Sequence, residues 1–133
     1  MTDTYEIVLA DASRLDEVRP LFIGMVEHHR RLTGGQWPVR DSDEAWQLRK
    51  RQYSSWLSSG HGWLLLALDR TSATGGAGRQ APPGAAAGTP PSRGAAGYAL
   101  ARLTDPGPTW DLGTVIGNLE SLSVAEHARS QGA

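Results

Sequence analysis

At 133 residues the chain is long enough for one domain with a real core and too short for two. Its formal net charge is -1, so bulk electrostatics give no reason to expect nucleic acid or an acidic membrane as partner. It contains no cysteine, which excludes disulfides and thiolate metal sites and suits a reducing cytoplasm.

Asp3 and Glu6 stand where the basic region of a signal peptide would be, and the longest apolar run, Trp63 to Leu68, is too short to span a bilayer. We therefore expect a soluble, cytoplasmic protein with no membrane partner. Tyr5 to Ala10, rich in β-branched residues, reads as a first strand. A helix should follow. Asp11 or Ser13 can cap it, Leu15, Val18, Phe22, Met25, His29 and Leu32 recur at spacings of three and four, and Gly34 and Gly35 end it. Pro20 inside this pattern lacks an N–H and predicts a kink or break. The run His28 to Arg31 reads as a solvated helix end with cations near the C-terminal dipole. Adjacent histidines point about 100° apart on a helix, so no shared metal is expected.

A second helix begins near Asp41 or Ser42, carries Trp46, Lys50, Tyr53 and Leu57 along one stripe with Trp56 beside it, and closes at Ser58 to Gly60. The cations Arg49 to Arg51 spread around that helix, and nucleic acid is not an expected partner. His61 to Asp69 is a continuous apolar run, as in a central strand covered on both faces. From Thr71 to Ala96, Gly, Ala and Pro make up 18 of 26 residues. Such a segment cannot bury enough apolar surface to offset its ordering entropy, so 71–96 is expected to be a disordered insertion between two strands. Gly97 to Leu103 resumes a strand, and Thr104 to Gly113 is a turn-rich loop.

Val115 to Val124 alternates with a period of two, placing Ile116, Asn118, Glu120, Leu122 and Val124 on one face and Val115, Leu119, Ser121 and Ser123 on the other. Polar side chains on both faces suggest that something other than core packs there. Arg129, Ser130, Gln131 and Gly132 follow before Ala133, a Gly-containing loop of the kind that aims backbone amides at a phosphate.

The run LESLSV followed by EHARSQGA resembles the fourth strand and pyrophosphate loop of the GNAT family of acyl-CoA-dependent N-acetyltransferases. Arg129 to Ala133 supply the first five positions of the family's loop signature, and the order strand, helix, helix, strand, strand, strand, loop is that of the N-terminal part of its fold. The resemblance implies an α+β, three-layer domain with a mixed, mainly antiparallel sheet, one incomplete domain over 1–133 whose C-terminal half is missing. It implies acetyl-CoA as co-substrate, held through its pantetheine arm by the backbone of Leu122, Ser123 and Val124 and through its pyrophosphate by Arg129, Ser130, Gln131, Gly132 and Ala133. Glu120 becomes the candidate general base, taking a proton from the ammonium of a small-molecule or peptide acceptor. The implied function is acetyl transfer to a primary amine, weak or absent in these residues alone. A noncatalytic CoA-binding or protein-interaction module of the same fold is the alternative; the exposed apolar edge is expected to mean either a fragment of a longer chain or a dimer or second chain pairing along 115–124. In the family the acceptor is chosen largely by the loop between the helices, here Gly34 to Asp41, where Trp37, Arg40 and Asp41 could line a pocket.

Overall fold

A computed structural model describes residues 4–70 and 94–130. Four strands form an antiparallel sheet in the order of the chain: β1 (Tyr5–Ala10), β2 (Gly62–Asp69), β3 (Ala95–Thr104) and β4 (Ile116–Val124). Helices α1 (Arg19–Leu32) and α2 (Ser42–Ser58) lie between β1 and β2 and pack on one face of that sheet.

The break expected at Pro20 is real. Asp11 accepts a hydrogen bond from the Ser13 amide at 2.8 Å and opens a 3-10 helix, Ala12–Glu17, after which α1 starts afresh at Arg19. Pro20 thus stands in the first turn of α1, where a missing N–H costs nothing and its fixed φ suits the helix. The restart also turns the apolar stripe. Leu15, Val18, Leu21, Phe22 and Val26 are buried, whereas His29 and Leu32, which a single uninterrupted helix would place inward, are exposed. Gly34 and Gly35 take φ of 57° and 78° just past the end of α1, a left-handed conformation glycine adopts without strain. Helix α2 is capped by Asp41, which accepts from the amides of Asp43 and Glu44.

Trp46, Tyr53, Leu64, Leu66 and Leu100 are each at most 1% exposed and join Phe22, Val18 and Tyr98 in one core between the helices and the sheet. The expectation that β2 is covered on both faces fails. Leu64, Leu66 and Leu68 face the helices, but Trp63 and Leu65 are 39% and 38% exposed on the other side, with Ile7, Leu9, Leu119 and Leu122. Among the described residues nothing covers that second face.

Two boundaries also move. β3 begins at Ala95, so Ala95 and the buried Ala96 belong to the sheet rather than to the insertion, because Ala serves a close-packed strand as well as a loop. The rest of the insertion, 71–93, and Gln131, Gly132 and Ala133 of the loop signature lie outside the described residues.

Candidate active site

Strand β4 forms one edge of the sheet. Ala101 pairs with Leu119 and the adjacent Leu100 pairs with Ser121, so Glu120 is the extra residue of a β-bulge. The bulge overturns the simple alternation read from the sequence. Ile116, Asn118, Glu120, Ser121 and Ser123 are part-buried, while Leu119 and Leu122 stand out at 58% and 59% exposure. Leu122 therefore does not share a face with Glu120 and Asn118, and the serines exchange solvent for the helix layer. Ser121 shares a 2.6 Å hydrogen bond with the Tyr98 hydroxyl, and Ser123 donates to the Leu21 carbonyl at 3.3 Å. Burial pushes the Tyr98 phenol well above its ordinary range, so it stays protonated.

Glu120 is held firmly. Its Oε1 accepts from Arg102 Nε at 2.6 Å and from Asn118 Nδ2 at 2.7 Å, with the glutamate side chain only 17% exposed. Arg102 in turn lies over the Trp56 ring, 4.5 Å from its centre. Three side chains, Trp56 from α2, Arg102 from β3 and Asn118 from β4, thus aim one carboxylate. Arg102, Asn118 and Trp56 were not legible as site residues, because their convergence depends on the β3–β4 register and on the bulge.

Beyond the bulge the outer side of β4 has no strand beside it among the described residues. The Ala125 amide bonds to the Ala96 carbonyl at 2.7 Å, so the two-residue alternation turns the N–H and C=O of Val124 and Leu122 toward the unpaired edge and those of Ser123 toward β3. The chain then turns through a short 3-10 helix, Glu126–Ala128, anchored by the fully buried Ala128. Arg129 Nε returns to the Val124 carbonyl at 3.1 Å. Ser130 follows at φ 66°, the one non-glycine residue with positive φ among those described. Arg129 before it is extended, so the left-handed Ser130 marks a sharp change of direction as the chain leaves the 3-10 helix.

Between this turn and α1 lies a cavity of about 520 Å³, lined by Pro20, Leu21, Gly24, Glu27, His28 and Arg31 from one side and by Ser123 to His127 and Arg129 from the other. Of the expected donor-binding residues, the structure brings Ser123, Val124 and Arg129 to this cavity, leaves Leu122 on the open face, and puts Ser130 in the turn beside it. His29, Arg30 and Arg31 stand in the last turn of α1 as expected, and His28 and Arg31 also line this cavity; sequence spacing alone gave no sign that the chain returns beside them. A second, apolar groove of about 490 Å³ lies at the far end of α1, where Leu32 and Trp37 flank His29. Trp37 is 69% exposed there, while Arg40 and Asp41 do not line it. Among the described residues no cluster of metal-binding side chains occurs, and no helix is long and apolar enough to cross a membrane.

No protein-family model and no curated protein sequence matches the chain. Solved structures do. A GCN5-related N-acetyltransferase from Ralstonia eutropha superposes with a TM-score of 0.59 at 14% identity, over 96% of this chain and 67% of the other. This chain has the GNAT fold. A predicted acetyltransferase from Clostridium acetobutylicum, solved with acetyl-CoA, matches at TM-score 0.53 and 14% identity over 96% of this chain and 64% of its own. The aminoglycoside 6'-N-acetyltransferase AAC(6')-Ih from Acinetobacter baumannii matches at 0.53 and 16% identity, over 96% and 62%. The chain thus accounts for about two thirds of the length of these GNAT-fold proteins.

Proposed function

We propose that the protein serves acetyl transfer from acetyl-CoA to an amine. The observation that carries this is the outward-turned backbone of Leu122 and Val124 at an unpaired strand edge, leading into the Arg129–Ser130 turn, within a GNAT fold. In this reading the pantetheine amides complete the edge of β4 as an added strand would, and the pyrophosphate is held by Arg129 and Ser130 together with Gln131, Gly132 and Ala133 of the loop signature. The Leu122 amide then faces the thioester carbonyl and stabilises the oxyanion that forms there.

Glu120 is assigned as general base. Its carboxylate, aimed by Arg102 and Asn118, accepts a proton from the acceptor ammonium directly or through one water. The freed lone pair attacks the thioester carbon, the tetrahedral intermediate collapses, and the C–S bond breaks to release CoA. The acceptor is read as a small-molecule or peptide amine, in keeping with the aminoglycoside enzyme among the neighbours. A strand supplied along the outer edge of β4, by further chain or by a second molecule, would close the donor groove.

A noncatalytic CoA-binding module is the second reading, favoured by one feature: Oε1 of Glu120 is already engaged twice, which weakens it as a base. Assay of CoA release with a panel of amines separates the two. The catalytic reading predicts acceptor-dependent release, at least about tenfold lower in Glu120→Gln with unchanged acetyl-CoA affinity. Binding without release under any acceptor would leave the module.

A further inference from the structure

We propose that His28 and Arg31 of α1, facing His127 and Arg129, form one anion cleft that grips a polyphosphate from both sides. Resting on the donor reading above, this assigns to α1 a part in holding the phosphorylated end of the acyl donor that the loop signature does not supply.

The argument starts from which charges the fold uses. Arg14, Arg19, Arg30, Arg40, Lys50 and Arg102 are each ion-paired with a carboxylate. Arg49 and Arg51 of α2 show no ion pair among the described residues, but they lie away from the 520 Å³ cavity, on whose lining several further cations gather. The side chains of His28, Arg31 and His127 make no hydrogen bond to any described residue, and Arg129 spends only Nε, on the Val124 carbonyl, leaving both terminal nitrogens. Of the two carboxylates on the lining, Glu27 is bonded to Ser42 and Arg30 and also feels the charge of Arg31. Glu126 is the opposing charge whose carboxylate has no hydrogen-bonded partner among the described residues. Two guanidinium groups and two imidazoles with unspent donors, drawn from two elements that enclose one space of ligand size, fit a group with several negative oxygens better than a single carboxylate.

The test is calorimetric titration of the full 133-residue chain with inorganic pyrophosphate and, separately, with acetyl-CoA. Arg31→Gln should weaken both ligands about tenfold, and Glu126→Gln should tighten both by a few-fold, since each changes the cleft by one charge of opposite sign. Raising salt should weaken the wild type more than Arg31→Gln. Both side chains are exposed, so neither change removes core packing, and a general loss of structure cannot produce effects of opposite sign. Equal pyrophosphate affinity across the three proteins, or none in the wild type at millimolar concentration, overturns the cleft. Acetyl-CoA bound equally by all three would sink the cleft and leave the donor reading standing. Pyrophosphate bound with the expected dependence, but no acetyl-CoA, would support the cleft and sink the donor reading.

Discussion

Replacing Arg102 by alanine tests whether β3 and β4 meet as described. The side chain is 29% exposed, donates to Glu120 at 2.6 Å and lies 4.5 Å from the centre of the Trp56 ring. Breaking a fully buried pair costs about 3–5 kcal/mol because a charge is left uncompensated, and an exposed pair is worth at most about 1. With both partners mostly but not fully covered, and Asn118 still bonded to the carboxylate, the loss should fall near 2 kcal/mol, including a few tenths for the ring contact. For a domain of this size that lowers Tm by roughly 5–10 °C. Urea unfolding of Arg102→Ala, Glu120→Gln and the double variant gives the coupling directly. A coupling of about 1 kcal/mol or more is expected. Additivity within about 0.3 kcal/mol would refute the pairing, and with it the bulge that brings Glu120 opposite Arg102.

Leu122→Lys should change folding stability by no more than about 0.5 kcal/mol, since Leu122 is 59% exposed, whereas Leu100→Ala at a fully buried position should cost about 2–5 kcal/mol; chemical denaturation reads both. Glu27 is held below its ordinary value of 4.5 chiefly by the Ser42 hydroxyl, with Arg30 assisting. A carboxylate depressed in the folded state contributes stability above about pH 4.5, and that contribution is lost as pH falls through its folded value. Ser42→Ala should therefore lower stability at pH 7 and narrow the difference between pH 7 and pH 3, as followed by thermal unfolding at each pH.

Much of the fold is legible in the sequence because its punctuation is local. Asp41 as a cap, Pro20 as a break and the glycine pair after α1 act within one turn of where they stand. Faces are harder. The alternation from Ile116 to Val124 misassigns Leu122, Ser121 and Ser123 because one inserted residue, Glu120, shifts every later side chain, and nothing local announces a bulge. Ala95 and Ala96 carry no side-chain signal to separate strand from the alanine-rich stretch before them. Glu120, Leu122 to Val124 and the loop from Arg129 could be named from the sequence as candidates. The groups that surround them could not: Arg102, lying over Trp56, reaches Glu120 through strand register, and His28 and Arg31 share a cavity with Arg129 because α1 passes the end of β4.

The central claim is that acetyl-CoA docks along the free edge of β4. Backbone amide shifts of the isotope-labelled chain, followed by NMR during acetyl-CoA titration, test it most directly. The account predicts saturable shifts at Leu122, Val124, Arg129 and Ser130, with Ile7 and Leu9 on the distant edge unmoved. A well-dispersed spectrum in which those four amides stay still, or in which shifts gather instead around Leu32 and Trp37, would contradict it.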